Sequence, residues 1–152
     1  MSHRIAVLNG PNLNLLGQRE PQLYGHQTLA DIEDAVRQEA LRLGCILASW
    51  SQTNHEGALV DAIQQLPTHA DGLILNAGAY THSSLAIRDA LLAVRVPFVE
   101  VHLSNLFARE RRRRQSLFAD LALGVIAGFG GHGYLLGLQA LDRHLHGSRP
   151  PA

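Results

Sequence analysis

Residues 5–25, IAVLNGPNLNLLGQREPQLYG, decide the fold. They open on a short apolar run and pass abruptly into a loop dense in Asn, Gly and Pro that ends on Arg19 and Tyr24. An apolar run of this length reads as a strand buried on both faces, as in parallel sheets. The segment after it is too polar and too broken to be core. In open parallel α/β sheets the ligand crevice lies beyond the carboxyl ends of the strands, which puts Asn12, Arg19 and Tyr24 where a site belongs.

Strand and helix alternate downstream of that loop. Thr28 with Asp31 resembles a capping box, and Leu29, Ile32, Ala35, Val36, Ala40 and Leu43 keep helical spacing up to a glycine stop at Gly44. Cys45–Ser51 reads as a second strand, Asn54–Leu66 as a helix ended by Pro67, and Gly72–Asn76 as a third strand. Thr81 or Ser83 can cap a helix running to Val94, Pro97 opens a fourth strand through Val101, and Leu123–Phe129 makes a fifth. A last helix is expected from about Gly133 to His144. The pattern predicts an α/β fold with a doubly wound, five-stranded parallel sheet and helices on both faces. The flavodoxin-like order 2-1-3-4-5 is expected, because five strands do not complete two mononucleotide-binding halves. Residues 1–146 are expected to form one catalytic domain and residues 147–152, GSRPPA, a frayed tail.

Composition narrows the function. A chain of 152 residues can bury roughly 70% of its unfolded surface without a disulfide or metal. Its 13 basic and 13 acidic residues balance, so the net field favours neither nucleic acid nor anionic membrane as a partner. No apolar stretch approaches a membrane span and the N-terminus has no signal-peptide pattern, so a soluble cytoplasmic protein is expected. The single Cys45 lies in the apolar run CILASW and reads as a buried, inert thiol. All 13 basic residues are arginine. With no lysine there can be no Schiff base, no pyridoxal phosphate linkage and no P-loop lysine.

Strand three ends in Asn76, and the loop AGAYTHSS delivers His82 to a helix start, where backbone N–H groups favour an anion. Glu100 and His102 are two apart on strand four and therefore share a face. A carboxylate beside an imidazole fixes its tautomer, an arrangement suited to a general acid. Ser104 opens the next loop. Polar groups from strands one, three and four thus converge on one crevice, the pattern expected of an enzyme site. A tyrosine with the ordinary pKa near 10 is a poor base at neutral pH, because only about one part in a thousand is phenolate, a deficit of roughly 4 kcal/mol. A neighbouring guanidinium reduces that deficit, and Arg19 is the candidate.

The segments LNGPNLNLLGQREPQLYG, SQTNHEG, ILNAGAYTHSSLAIRDAL, VEVHLSN, the Arg109–Glu110 pair and GVIAGFGGHGYLLGL resemble, in order and over nearly the whole chain, the type II 3-dehydroquinate dehydratases. The resemblance implies a flavodoxin-like lyase that removes water from 3-dehydroquinate through an enolate, with neither metal nor cofactor. It implies that Tyr24, as a phenolate assisted by Arg19, takes the C2 proton, and that Asn12 holds a water on the enolate oxygen. By the same resemblance His102, oriented by Glu100, protonates the departing C1 hydroxyl. Asn76, Ser104 and the Leu103 backbone would hold the substrate carboxylate and hydroxyls, with His82 and Arg113 on the ring hydroxyls. The family usually has an aromatic residue where this chain has Arg112, which leaves Arg114 as the fallback for Arg113. Asp89 matches an aspartate that reaches a neighbouring subunit's site, and trimers gathered into a dodecamer are implied. The loop from Arg19 to Tyr24 is expected to act as a lid.

Other readings compete for some of these residues. RERRRR at 109–114 lacks the interleaved aromatics of an RNA-binding surface and reads as a solvated or interface face. Gly128, Gly130 and Gly133 spell GxGxxG, but a dinucleotide fold needs a further strand and an acidic residue about 20 positions on. His132, His144 and His146 lack the HExxH arrangement, and no metal site is expected. A flavodoxin-like module binding FMN or phosphate at the same strand ends is the rival class.

Overall fold

The computed structural model describes residues 2–18, 22 and 26–147. Five parallel strands form its sheet: β1 (Arg4–Asn9), β2 (Ile46–Gln52), β3 (Gly72–Asn76), β4 (Phe98–His102) and β5 (Gly124–Ala127). Their order is β2-β1-β3-β4-β5, as the alternation and strand number predict. β1, β3 and β4 are central and almost wholly buried, so their side chains must be apolar on both faces. Alternate residues divide between two cores. Ile5, Val7, Ile74, Val99 and Val101 pack under α1 (Leu29–Leu43) and α4 (His132–Gly147). Ala6, Leu8, Leu73, Leu75 and Phe98 pack under α2 (Glu56–Gln65) and α3 (Leu85–Val94). Each fully buried aliphatic side chain contributes about 1.5–3 kcal/mol to that packing.

The sequence signals for α1 act as expected. Thr28 Oγ1 accepts from the Asp31 N–H at 3.1 Å, and Asp31 Oδ2 accepts from the Thr28 N–H at 3.0 Å. These bonds hold the Asp31 carboxyl below the usual carboxylate range. Gly44 ends the helix in the left-handed conformation. Cys45 is buried, its Sγ lies 3.0 Å from Asp142 Oδ1, and burial with that carboxylate pushes the thiol up to about 12. It stays protonated at neutral pH, in keeping with an inert thiol.

Three local expectations are corrected. Ser84, and neither Thr81 nor Ser83, caps α3: its Oγ accepts from the Ile87 N–H at 3.0 Å, while residues 78–82 form a 3₁₀ turn that carries Thr81 into the interior. The last helix is longer than its apolar pattern, running from His132 through Gly147, and residues 148–152 of the expected tail lie outside the described ones. The β4–β5 crossover contains no α-helix; it is a strap of 3₁₀ turns at Leu106–Ala108, Arg111–Arg113 and Ala119–Leu121. Phe118 anchors the strap in the core, edge-on to Phe98 at 6.5 Å. Val125 pairs with Glu100 and shares its face, yet with no helix above it remains 45% exposed. Among the described residues no helix is long and apolar enough to cross a membrane.

Candidate active site

The exits of β1 and β3 meet backbone to backbone. The Gly10 N–H donates to the Asn76 carbonyl at 2.7 Å, and a Cβ at Gly10 would lie only 2.3 Å from the Ala77 oxygen, so no other residue fits there. Above this junction opens a cleft at the carboxyl ends of the strands. Asn12, Asn76, His82, His102, Leu103, Ser104 and Arg113 all line it. The structure therefore brings together seven residues singled out from sequence, six of them from the exits of three strands and Arg113 from the strap after β4. Arg19 and Tyr24, and with them the expected lid, lie outside the described residues.

The acid–base pair is the most constrained part. Glu100 is 0% exposed and His102 4%, both on the α2–α3 face of β4. His102 Nε2 donates to Glu100 Oε2 at 2.6 Å, leaving Nδ1 as the ring nitrogen that Glu100 does not engage. The other carboxylate oxygen, Oε1, accepts from Ser116 Oγ at 2.7 Å. A buried carboxylate is tolerated only with such donors.

Asn12 adopts a left-handed backbone with φ 68° at the start of the 3₁₀ turn Leu13–Leu15. Its N–H donates to Asn54 Oδ1 at 3.0 Å, and Gln52 Nε2 reaches both Asn54 Oδ1 and the Gly10 carbonyl, each at 3.1 Å. The SQTNHEG segment thus braces the loop that presents Asn12. His82 Nδ1 donates to the Gln115 carbonyl at 2.7 Å. Because a carbonyl only accepts, Nδ1 carries the proton and Nε2 is the remaining acceptor.

The arginine run is partly a cleft wall rather than only a solvated face. Arg109 and Arg113 line the cleft; Arg109 Nη1 approaches Ser104 Oγ at 3.4 Å, and Arg113 Nε donates to Glu110 Oε1 at 2.5 Å. Two guanidiniums there favour an anionic ligand. Arg114 turns back to the Arg109 carbonyl at 2.9 Å and is not among the lining residues. Asp89 is exposed on α3 and does not line this chain's cleft. Among the described residues no group of three or more His, Cys, Asp and Glu side chains converges as metal ligands would.

Four participants escape a reading of the sequence. Arg109 sits in a recognised pair, but nothing marks it as a cleft residue. Ser116 follows the arginines without any local signal. Asn9 and Tyr134 form a buried polar link: Tyr134 Oη donates to Asn9 Oδ1 at 2.6 Å and accepts from Asn76 Nδ2 at 2.9 Å. Burial holds that phenol above the ordinary tyrosine range. The usable clue is that asparagines end both β1 and β3 in matching register. Tyr134→Phe is expected to strand both amides and lower unfolding stability by about 2–4 kcal/mol, read as a reduced denaturant midpoint.

A sequence profile described as Dehydroquinase class II matches residues 3–142. The chain is 56% identical over 144 residues to a 3-dehydroquinate dehydratase of Synechococcus sp. (strain WH7803), covering 95% of this chain and 97% of that one. It is 54% identical over 139 residues to a catabolic 3-dehydroquinase of Penicillium rubens, covering 91% and 89%. The crystal structure of a type II dehydroquinase from Butyrivibrio crossotus superposes with a TM-score of 0.89 at 38% identity, over 93% of this chain and 98% of that one.

Proposed function

The chain belongs to the class II dehydroquinase family, and from that premise we propose how its residues expel water from 3-dehydroquinate. It is a 3-dehydroquinate dehydratase, a hydro-lyase. In the proposed sequence Tyr24, as a phenolate favoured by Arg19, removes the proton from C2 beside the ketone. The C2–H electrons pass into an enolate, whose oxygen is held by a water on Asn12. One such preorganised donor commonly contributes about 3 kcal/mol to the transition state. The enolate then collapses, the C1–O bond breaks, and His102 gives its proton to the departing hydroxyl. Water and a conjugated enone, 3-dehydroshikimate, result.

The observation that carries this reading is the buried Glu100–His102 pair opening on a cleft lined by two arginines. An acid on a rigid strand, its ring fixed by a carboxylate, suits the departure of a poor leaving group. Arg109 and Arg113 supply the charge that a substrate carboxylate requires, with Asn76, His82, Ser104 and the Leu103 backbone as hydrogen-bonding partners around the ring. No step calls for a metal or cofactor. Residues 1–146 act as one catalytic domain, and a cytoplasmic location fits a pathway enzyme with a single buried thiol. Assembly into trimers and then dodecamers is part of the proposal. It is supported by exposed apolar residues, Leu92, Phe107, Leu123, Val125 and Phe129, and by Asp89 standing away from its own chain's cleft.

The test is direct. Purified protein mixed with 3-dehydroquinate is expected to generate the ultraviolet absorbance of a conjugated enone, and the protein itself to be colourless. A yellow protein without that activity would support the rival flavin-binding module.

A further inference from the structure

Outside the residues that touch substrate, one contact stands apart by chemistry and by placement. Ser116 Oγ lies 2.7 Å from Glu100 Oε1; the serine is half-buried and does not line the cleft. The same oxygen accepts from the Phe118 N–H at 3.3 Å. With one lone pair so occupied and a carboxylate able only to accept, the hydroxyl hydrogen must point at Glu100. Its position is set from several sides. Phe118 is wholly buried, the Leu117 N–H donates to the Thr81 carbonyl at 2.9 Å, and Arg88 Nη1 donates to the Leu117 carbonyl at 2.9 Å. A hydroxyl held this firmly fixes whatever it bonds.

We propose that Ser116 is a positioning residue for the general acid: it holds one oxygen of Glu100 so that the other is committed to His102. The role rests on the reading of His102 as the acid. A carboxylate gripped at only one oxygen can turn about its terminal torsion, and the imidazole turns with it. Gripped at both, it holds the His102 ring in one orientation where that residue lines the cleft. Ser116 therefore acts on proton delivery and leaves substrate affinity alone, although Arg113 is only three residues away.

Ser116→Ala is expected to lower kcat by about tenfold to a hundredfold, the usual value of a hydrogen bond to a charged group, with KM changed by less than about twofold. Ser116→Thr, which keeps the hydroxyl, should return kcat to within about threefold of the parent. In a Glu100→Gln background the Ser116→Ala change should have almost no further effect on kcat, because the residue acts through that carboxylate. A rise in KM with kcat preserved, or an equal loss of kcat in both backgrounds, would overturn the proposal and leave Ser116 as a fastener of the strap. The parallel variant His102→Gln separates the two layers of argument. If it keeps turnover, the acid is misassigned and this role falls with it; if it loses turnover while Ser116→Ala does not, only the role of Ser116 fails.

Discussion

His102→Gln is expected to lower kcat by about a thousandfold, the middle of the range for a positioned general acid, with KM moved only severalfold. Glutamine is the informative replacement because its amide can still donate to Glu100, whose carboxylate is wholly buried. Alanine would leave that buried charge with the Ser116 hydroxyl but without its ring donor, and would mix a folding defect with a chemical one. The leaving hydroxyl needs a proton as its bond to C1 breaks, and an amide has none to give. A single-turnover absorbance trace measures the loss at the chemical step. Turnover within about tenfold of the parent would remove His102 from the mechanism.

Tyr24→Phe is expected to do at least as much, lowering kcat by about a thousandfold or more while the far-ultraviolet circular dichroism is unchanged. The two variants attack opposite ends of one C–C bond, and the base is the harder requirement. A proton beside a ketone is weakly acidic, so a base of ordinary tyrosine acidity needs both ionisation and an enolate partner. Deuterium at C2 offers a second check. In the parent, wash-out or a kinetic isotope effect should report removal of that proton, and in Tyr24→Phe exchange at C2 should disappear. Persistent exchange would show that another group is the base.

How much could be read from the chain alone depended on how local the signal was. β3 was legible to the residue because an unbroken apolar run ending in Asn76 permits little else between Asp71 and Gly78. α1 was legible because Thr28, Asp31 and Gly44 are start and stop signals that act within a single turn. The cap of α3 was not, since three hydroxyl residues lie within four positions and only the 3₁₀ turn over residues 78–82, which sets where the helix can start, selects Ser84. The missing crossover helix was invisible for a similar reason: the length between β4 and β5 admits a helix, and the strap's anchoring by Phe118 is a long-range event. At the site, residues at strand exits could be named because topology puts strand exits together. Ser116 and Tyr134 could not, because one reaches Glu100 from a loop and the other reaches Asn9 across 125 positions.

A connection of 3₁₀ turns also differs from a helix in how it takes changes of length. Adding one residue to an α-helix rotates everything beyond it by about 100°, which a packed interface does not forgive. The stretch after Phe118, from Ala119 to Leu123, is held instead by a few separate contacts: Asp120 takes the Arg88 guanidinium, Leu121 and Ala122 rest against the core, and the Leu123 N–H donates to the Phe98 carbonyl at 2.9 Å. A change of length there disturbs those contacts locally, while Phe118 keeps the acid and the arginines upstream in step.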